Sequence, residues 1–186
     1  MALFKKHKSD ETELVQLVRK GDENAMHELY SSYVGRLAAI TSRYITSEED
    51  VKDILQESFL KIFNGIDKFE YRGEGSLRAW MSKITLNETL KYIRRNCRVD
   101  MTDADLSDMN IPQEDPDTED IPPGVIHNMI RQLPDGYRAV FNLYVIEGKS
   151  HKEIAELLGI KENSSASQLH RAKAILAEQI RQYKER

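Results

Sequence analysis

The chain has 186 residues, of which 40% are hydrophobic and 31% charged, and its formal net charge is −4. That balance describes an ordinary folded protein of one or two small domains. No apolar run approaches the roughly 20 residues that cross a bilayer. The opening Met-Ala-Leu-Phe-Lys-Lys-His-Lys lacks the apolar core of a secretory signal, and Cys97, the single cysteine, excludes an internal disulfide. A cytoplasmic protein without membrane insertion is expected.

The charge is unevenly placed. Residues 1–99 carry 17 basic and 15 acidic side chains, residues 125–186 carry ten and seven, and residues 100–124 carry nine acidic side chains and no basic one. The acidity therefore belongs to one short segment, "DMTDADLSDMNIPQEDPDTEDIPPG", which has prolines and no amphipathic period. It reads as an extended, self-repelling linker between two mildly basic pieces, 1–99 and 125–186.

In chain order, Leu14, Leu17 and Val18 predict a short helix that stops at Gly21. Asn24 is placed to cap a second helix carrying Leu29, Tyr33, Leu37, Ile40 and Tyr44 on one face. A third follows Ser47, with Glu48, Glu49 and Asp50 at its positive end and an apolar stripe of Val51, Ile54, Leu55, Phe59, Ile62 and Phe63. Its polar side holds Asp53, Gln56 and Glu57, which read as a solvated face until a partner is named. No segment shows the period of two that marks a strand, so the fold expected is all-α.

The glycine-rich stretch "NGIDKFEYRGEGS" cannot continue the helix and forms a loop bearing Lys68, Phe69, Tyr71 and Arg72. Rings and cations on a loop suit unstacked bases and their phosphates; the alternative is that Phe69 and Tyr71 anchor the loop to the core. Ser76 is placed to cap a fourth helix from about Leu77 to Arg95. Along it Trp80, Lys83, Asn87, Lys91, Arg94 and Arg98 align in one stripe, and residues 78–98 hold six basic groups against Glu88 alone. Such a stripe on an acidic chain suits phosphate contact.

After the linker, Val125, Ile126, Met129, Ile130 and Leu133 outline one helix, and Val140, Phe141 and Tyr144 another. Ser150 and Glu153 form a capping box for the next, and Gly159 permits the turn that ends it. Asn163 or Ser164 is placed to cap the last helix, whose core side is Leu169, Ala172, Leu176 and Ile180. Its outer side is expected to be Ser164, Ser167, Gln168 and Arg171, hydrogen-bonding side chains of the kind that read base edges in the major groove. Lys161 and Lys173 flank them as phosphate ligands. Spacing, cap and turn together predict a helix-turn-helix. His7, His27, His127, His151 and His170 are scattered and form no metal set with the single cysteine, and no nucleophile and base stand at useful spacing. Neither an enzyme nor a cofactor is expected.

The stretches "DVKDILQESFLKIFNGIDKFEYRGEGSLRAWMSKITLNETLKYIRR" and "LPDGYRAVFNLYVIEGKSHKEIAELLGIKENSSASQLHRAKAIL" resemble the two conserved domains of bacterial extracytoplasmic-function sigma factors, in that family's order. The resemblance implies that Asp53, Gln56 and Glu57 dock on the core RNA polymerase. It implies that the loop captures a flipped base of the melted non-template strand at the minus-ten element. The stripe Lys83, Asn87, Lys91 and Arg94 would receive that element's upstream edge. The helix-turn-helix would read the minus-thirty-five element as duplex, and the acidic linker would thread toward the polymerase cleft. An anti-sigma factor is implied as a further partner. Where many relatives carry a basic "TVKSRLHRAR", this chain has "SSASQLHRAK", which implies a weaker grip on DNA without the core enzyme. The competing class is a stand-alone helix-turn-helix regulator; it needs a dimer interface or an effector pocket, and neither is legible.

Overall fold

In the computed structural model, which describes residues 11–96, 118 and 120–185, every regular element is helical. The order is α1 (Glu11–Arg19), α2 (Glu23–Ser42), α3 (Glu48–Gly65), a 3-10 turn (Ile66–Lys68), α4 (Ser76–Asn96), α5 (Pro123–Arg131), α6 (Asp135–Phe141), a π turn (Asn142–Ile146), α7 (His151–Leu158) and α8 (Glu162–Lys184). The all-α reading holds among the described residues. Most of the acidic segment 100–124 lies outside them.

These helices gather into two compact units that do not follow chain order. Among the described residues, one takes those up to Ser42 and Ser47–Glu88; the other takes Arg43–Thr46 and those from Thr89 onward. In the first unit the apolar stripe of α3 (Val51, Ile54, Leu55, Phe59 and Ile62) is buried, along with Leu14 and Val18 of α1 and Leu29 and Leu37 of α2. Each such side chain contributes roughly 1.5–3 kcal/mol of hydrophobic stabilisation, so this stripe alone commits α3 to one face. The opposite face is left to water.

In the second unit the core joins Met129 of α5 and Leu133, just past its end, to Ala172, Leu176 and Ile180 of α8. Ile121 is buried in the same cluster, and α5 begins at Pro123. The end of the segment assigned to the linker is thus structured: Ile121 is apolar, and a proline suits a helix's first turn, where its missing N–H is not needed.

The helix ends explain the boundaries. Ser47 accepts from the Asp50 N–H at 3.3 Å, as its position before three acids suggests. For α2 the cap is Asp22, whose carboxylate accepts from the Ala25 N–H at 2.9 Å; Asn24, expected there, already lies inside the helix. At α7 the capping box is complete, with Ser150 accepting from the Glu153 N–H at 3.3 Å and Glu153 accepting from the Ser150 N–H at 2.9 Å. Gly159 then takes φ 69°, a left-handed conformation that glycine enters without steric cost. The last helix starts earlier than expected: Lys161 is its N-cap without a side-chain bond, and Asn163 and Ser164 are helical.

Candidate functional site

Three surfaces carry the residues singled out by sequence. On α3, Asp53, Gln56 and Glu57 are all exposed, at i, i+3 and i+4 on the face opposite the buried stripe. Nearby Leu60 is half exposed at 50%. Two carboxylates, an amide and an apolar side chain therefore share one solvent-facing strip, a composition suited to docking on a basic protein surface with an apolar centre.

The second surface is the loop between α3 and α4 with the stripe that follows. Phe69 is only 5% exposed and packs its ring on Trp80, the centroids 5.1 Å apart. Of the two readings open for Phe69, anchoring is the one it adopts, because an indole across the turn offers a better contact than water. Tyr71 goes the other way and is 43% exposed. Lys68 and Arg72 are exposed as well, Arg72 paired with Glu70 at 3.0 Å. On α4, Lys83, Asn87 and Arg94 are exposed and Lys91 is half-buried. Glu88, the lone acid of this stretch, is paired with Lys61 of α3. That pairing draws its charge toward α3 and away from the basic positions.

The loop is held by α1, which sequence reasoning passed over. The Arg19 guanidinium donates through Nε to the Ile66 carbonyl at 3.1 Å and through Nη2 to the Phe69 carbonyl. Glu11 accepts from the Gly75 N–H at 3.3 Å through Oε2 and from the Tyr33 hydroxyl at 3.2 Å through Oε1. Burial first, and the adjacent Glu11 charge second, push the Tyr33 hydroxyl pKa up to about 12. Gly75 has φ 81°, where a side chain would be strained and would crowd the Arg78 guanidinium at 3.3 Å. No sequence periodicity signals these ties, since they link residues dozens of positions apart.

The third surface is the helix-turn-helix. The Ser165 hydroxyl is buried and 3.0 Å from Nδ1 of His151, whose ring stacks on Tyr144 at 4.8 Å. This contact joins the first residue of α7 to the first turns of α8. Lys161 and Lys173 are exposed, and Ser164, Ser167 and Arg171 are partly so. Ser167 donates to the Asn163 carbonyl at 2.9 Å, and Arg171 donates to the Tyr137 hydroxyl at 3.1 Å.

Gln168 departs from its expected outward position. It is 5% exposed, and its Oε1 has no hydrogen-bond partner. The reason is angular: α8 packs on both α6 and α7, which widens the buried arc. At about 100° per residue, Gln168 lies roughly 85° from the centre of that arc, at its edge, where the widened arc covers it. Ser164 and Arg171 lie farther round and keep their access to water.

Among the described residues no three or more His, Cys, Asp or Glu side chains gather as a metal set, and no helix is long and apolar enough to cross a membrane.

Comparison with known proteins gives matches to two family models in chain order. Sigma-70 region 2 matches residues 29–99, and Sigma-70, region 4 matches residues 124–176. The chain is 28% identical over 180 residues to the ECF RNA polymerase sigma-E factor of Haemophilus influenzae, covering 90% of this chain and 93% of that protein. It is 27% identical over 180 residues to the ECF RNA polymerase sigma-E factor of Escherichia coli K12, covering 90% and 92%. Among solved structures, the sigma factor RpoE in complex with the anti-sigma factor NepR from Bartonella quintana matches with a TM-score of 0.47 and 20% identity, over 83% of this chain and 96% of that one.

Proposed function

The chain belongs to the sigma-70 family and, within it, to the extracytoplasmic-function group, and from that premise we propose how its surfaces serve transcription initiation. It is an alternative sigma factor that binds core RNA polymerase and directs promoter-specific initiation. The observation that carries this is the ordered pair of matches: region 2 spans the exposed strip of α3, the loop and α4, and region 4 spans the helix-turn-helix.

Residues 1–99 form the polymerase-binding and minus-ten domain and residues 125–186 the minus-thirty-five domain, joined by the linker 100–124, whose last residues, from Ile121, pack with the second domain. Asp53, Gln56 and Glu57 dock on the core enzyme; their exposure on the free face of α3 supports this. Lys68, Tyr71 and Arg72 meet the melted non-template strand, with Phe69 supplying the anchor beneath them. Lys83, Asn87, Lys91 and Arg94 receive the upstream edge of the minus-ten element and its phosphates. Ser164, Ser167 and Arg171 read the minus-thirty-five duplex, and Lys161 and Lys173 hold its phosphates. Gln168, being covered, is left out of that set. The resemblance adds an anti-sigma partner and a cytoplasmic location. The deciding experiment is run-off transcription with purified core polymerase, with and without this protein. Promoter-dependent transcripts are expected; duplex binding without transcripts would instead favour a stand-alone regulator.

A further inference from the structure

Between α3 and α4 the loop is tied at both ends by one short helix that precedes it by some fifty residues. Arg19, in the last turn of α1, donates to the carbonyls of Ile66 and Phe69. Glu11, in the first turn of the same helix, accepts from the N–H of Gly75. A third tie is local, the Arg72 N–H donating to the Ser76 hydroxyl at 3.2 Å. Phe69 is therefore held twice, through its ring on Trp80 and through its carbonyl on Arg19. Fixing that carbonyl fixes the direction in which the next peptide leaves. Tyr71, two residues on, faces solvent. A groove of about 430 Å³ lies between α1 and this stretch, lined by Thr12, Gln16 and Arg19 on one side and Lys68, Glu70 and Tyr71 on the other.

We propose that α1 is the template that presets this loop, with Arg19 and Glu11 as positioning residues for strand capture. The proposal rests on the reading of the loop as the minus-ten element's receptor. Holding Tyr71 in place before DNA arrives removes an ordering cost from the opening step, which is what preorganisation supplies in binding generally. The simpler role for Arg19 is a cation stabilising the carbonyl end of α3. The two roles separate in experiment: a stabilising cation affects folding and every function together, whereas a template affects promoter opening alone.

The test uses the full chain with core polymerase on a promoter carrying 2-aminopurine in the minus-ten element. Core affinity and thermal melting are measured beside it. Arg19→Ala and Glu11→Ala are each expected to slow opening about tenfold, the scale of one charge-assisted hydrogen bond, with core affinity unchanged. Arg19→Lys, which keeps a cation within reach of the same carbonyls, should recover most of the rate. Should Arg19→Ala fail to fold, Glu11→Ala decides, since it loosens the far end of the loop. Unchanged opening in the α1 variants, with Tyr71→Ala and Lys68→Ala defective, overturns the template role and leaves the loop reading intact. Unchanged opening in Tyr71→Ala and Lys68→Ala overturns both. Core affinity falling in step with opening assigns Arg19 and Glu11 to stability and overturns the proposal as well.

Discussion

Arg138 donates through Nε to the carbonyl of Tyr44 at 2.9 Å, across 94 residues of chain. The same guanidinium donates to the Leu133 carbonyl at 2.6 Å and the Arg131 carbonyl at 3.1 Å, and pairs with Asp135. A buried cation is costly unless such partners surround it, and here four of them do. Beside it the Asn142 amide donates to the Arg43 carbonyl at 3.0 Å, so the segment Arg43–Thr46 is stitched into the second unit by backbone oxygens. Arg138→Met keeps the stem and strands those carbonyls. It is expected to destabilise the second unit by about 3 kcal/mol, given about 1–3 kcal/mol for each buried acceptor left unmet. Urea unfolding followed through α6 checks this; a loss under about 1 kcal/mol would mean that water takes the guanidinium's place.

A second expectation concerns alkaline pH. Tyr33 is neutral when protonated, and its folded pKa is raised from the ordinary 10 to about 12 by burial and by Glu11. Its contribution to stability is therefore complete below pH 10 and is lost as pH rises from 10 through about 12. Tyr44, also raised by burial, adds to the same limb. Tyr33→Phe should make stability fall less steeply above pH 10 and remove one late step from the tyrosinate absorbance. An unchanged alkaline limb in that variant would show that Tyr33 titrates normally.

What was legible in the sequence was local. The stripe of α3, the cap at Ser47, the capping box at Ser150 and the turn at Gly159 all depend on residues within a few positions of each other, so spacing reveals them. The exposed face of α3 followed from the same stripe by exclusion. What was not legible depends on packing partners far away in the chain. Gln168 is polar and sits at the edge of the buried arc of α8, so pattern alone assigns it to the wet side; two neighbouring helices cover it. Phe69 was ambiguous until Trp80 was seen beneath it. Arg19 and Arg138 were not singled out at all, because nothing near them in sequence marks the carbonyls they hold.

The polymerase-docking strip yields a third expectation. Asp53 and Glu57 are exposed and share no packing with the core, so charge reversal at both should leave circular dichroism and melting unchanged. Interfacial charge pairs respond strongly to reversal, and the double variant Asp53→Lys with Glu57→Lys is expected to weaken core-polymerase binding about tenfold or more. The loss should shrink as salt rises, because screening weakens the original attraction and the new repulsion alike. A complex that co-purifies undiminished at low salt would place the docking surface elsewhere.

The last expectation separates the two sides of α8. Ser164, Ser167 and Arg171 keep access to water, whereas Gln168 is covered with an unpartnered oxygen. If the exposed three read bases, replacing each should change the minus-thirty-five sequence selected from a randomised library, at about 1–3 kcal/mol of discrimination per good contact. Replacing Lys161 should weaken all promoters alike and lower the salt slope by about 0.9, as a phosphate contact does. Gln168→Met removes a buried acceptor that has no partner and replaces it with an apolar chain of similar volume. It should leave the selected sequence unchanged and the melting temperature equal or higher. A Gln168→Met protein that selects a different minus-thirty-five sequence would mean that the buried amide turns outward on DNA, and the covered edge of α8 would then belong to the reading face.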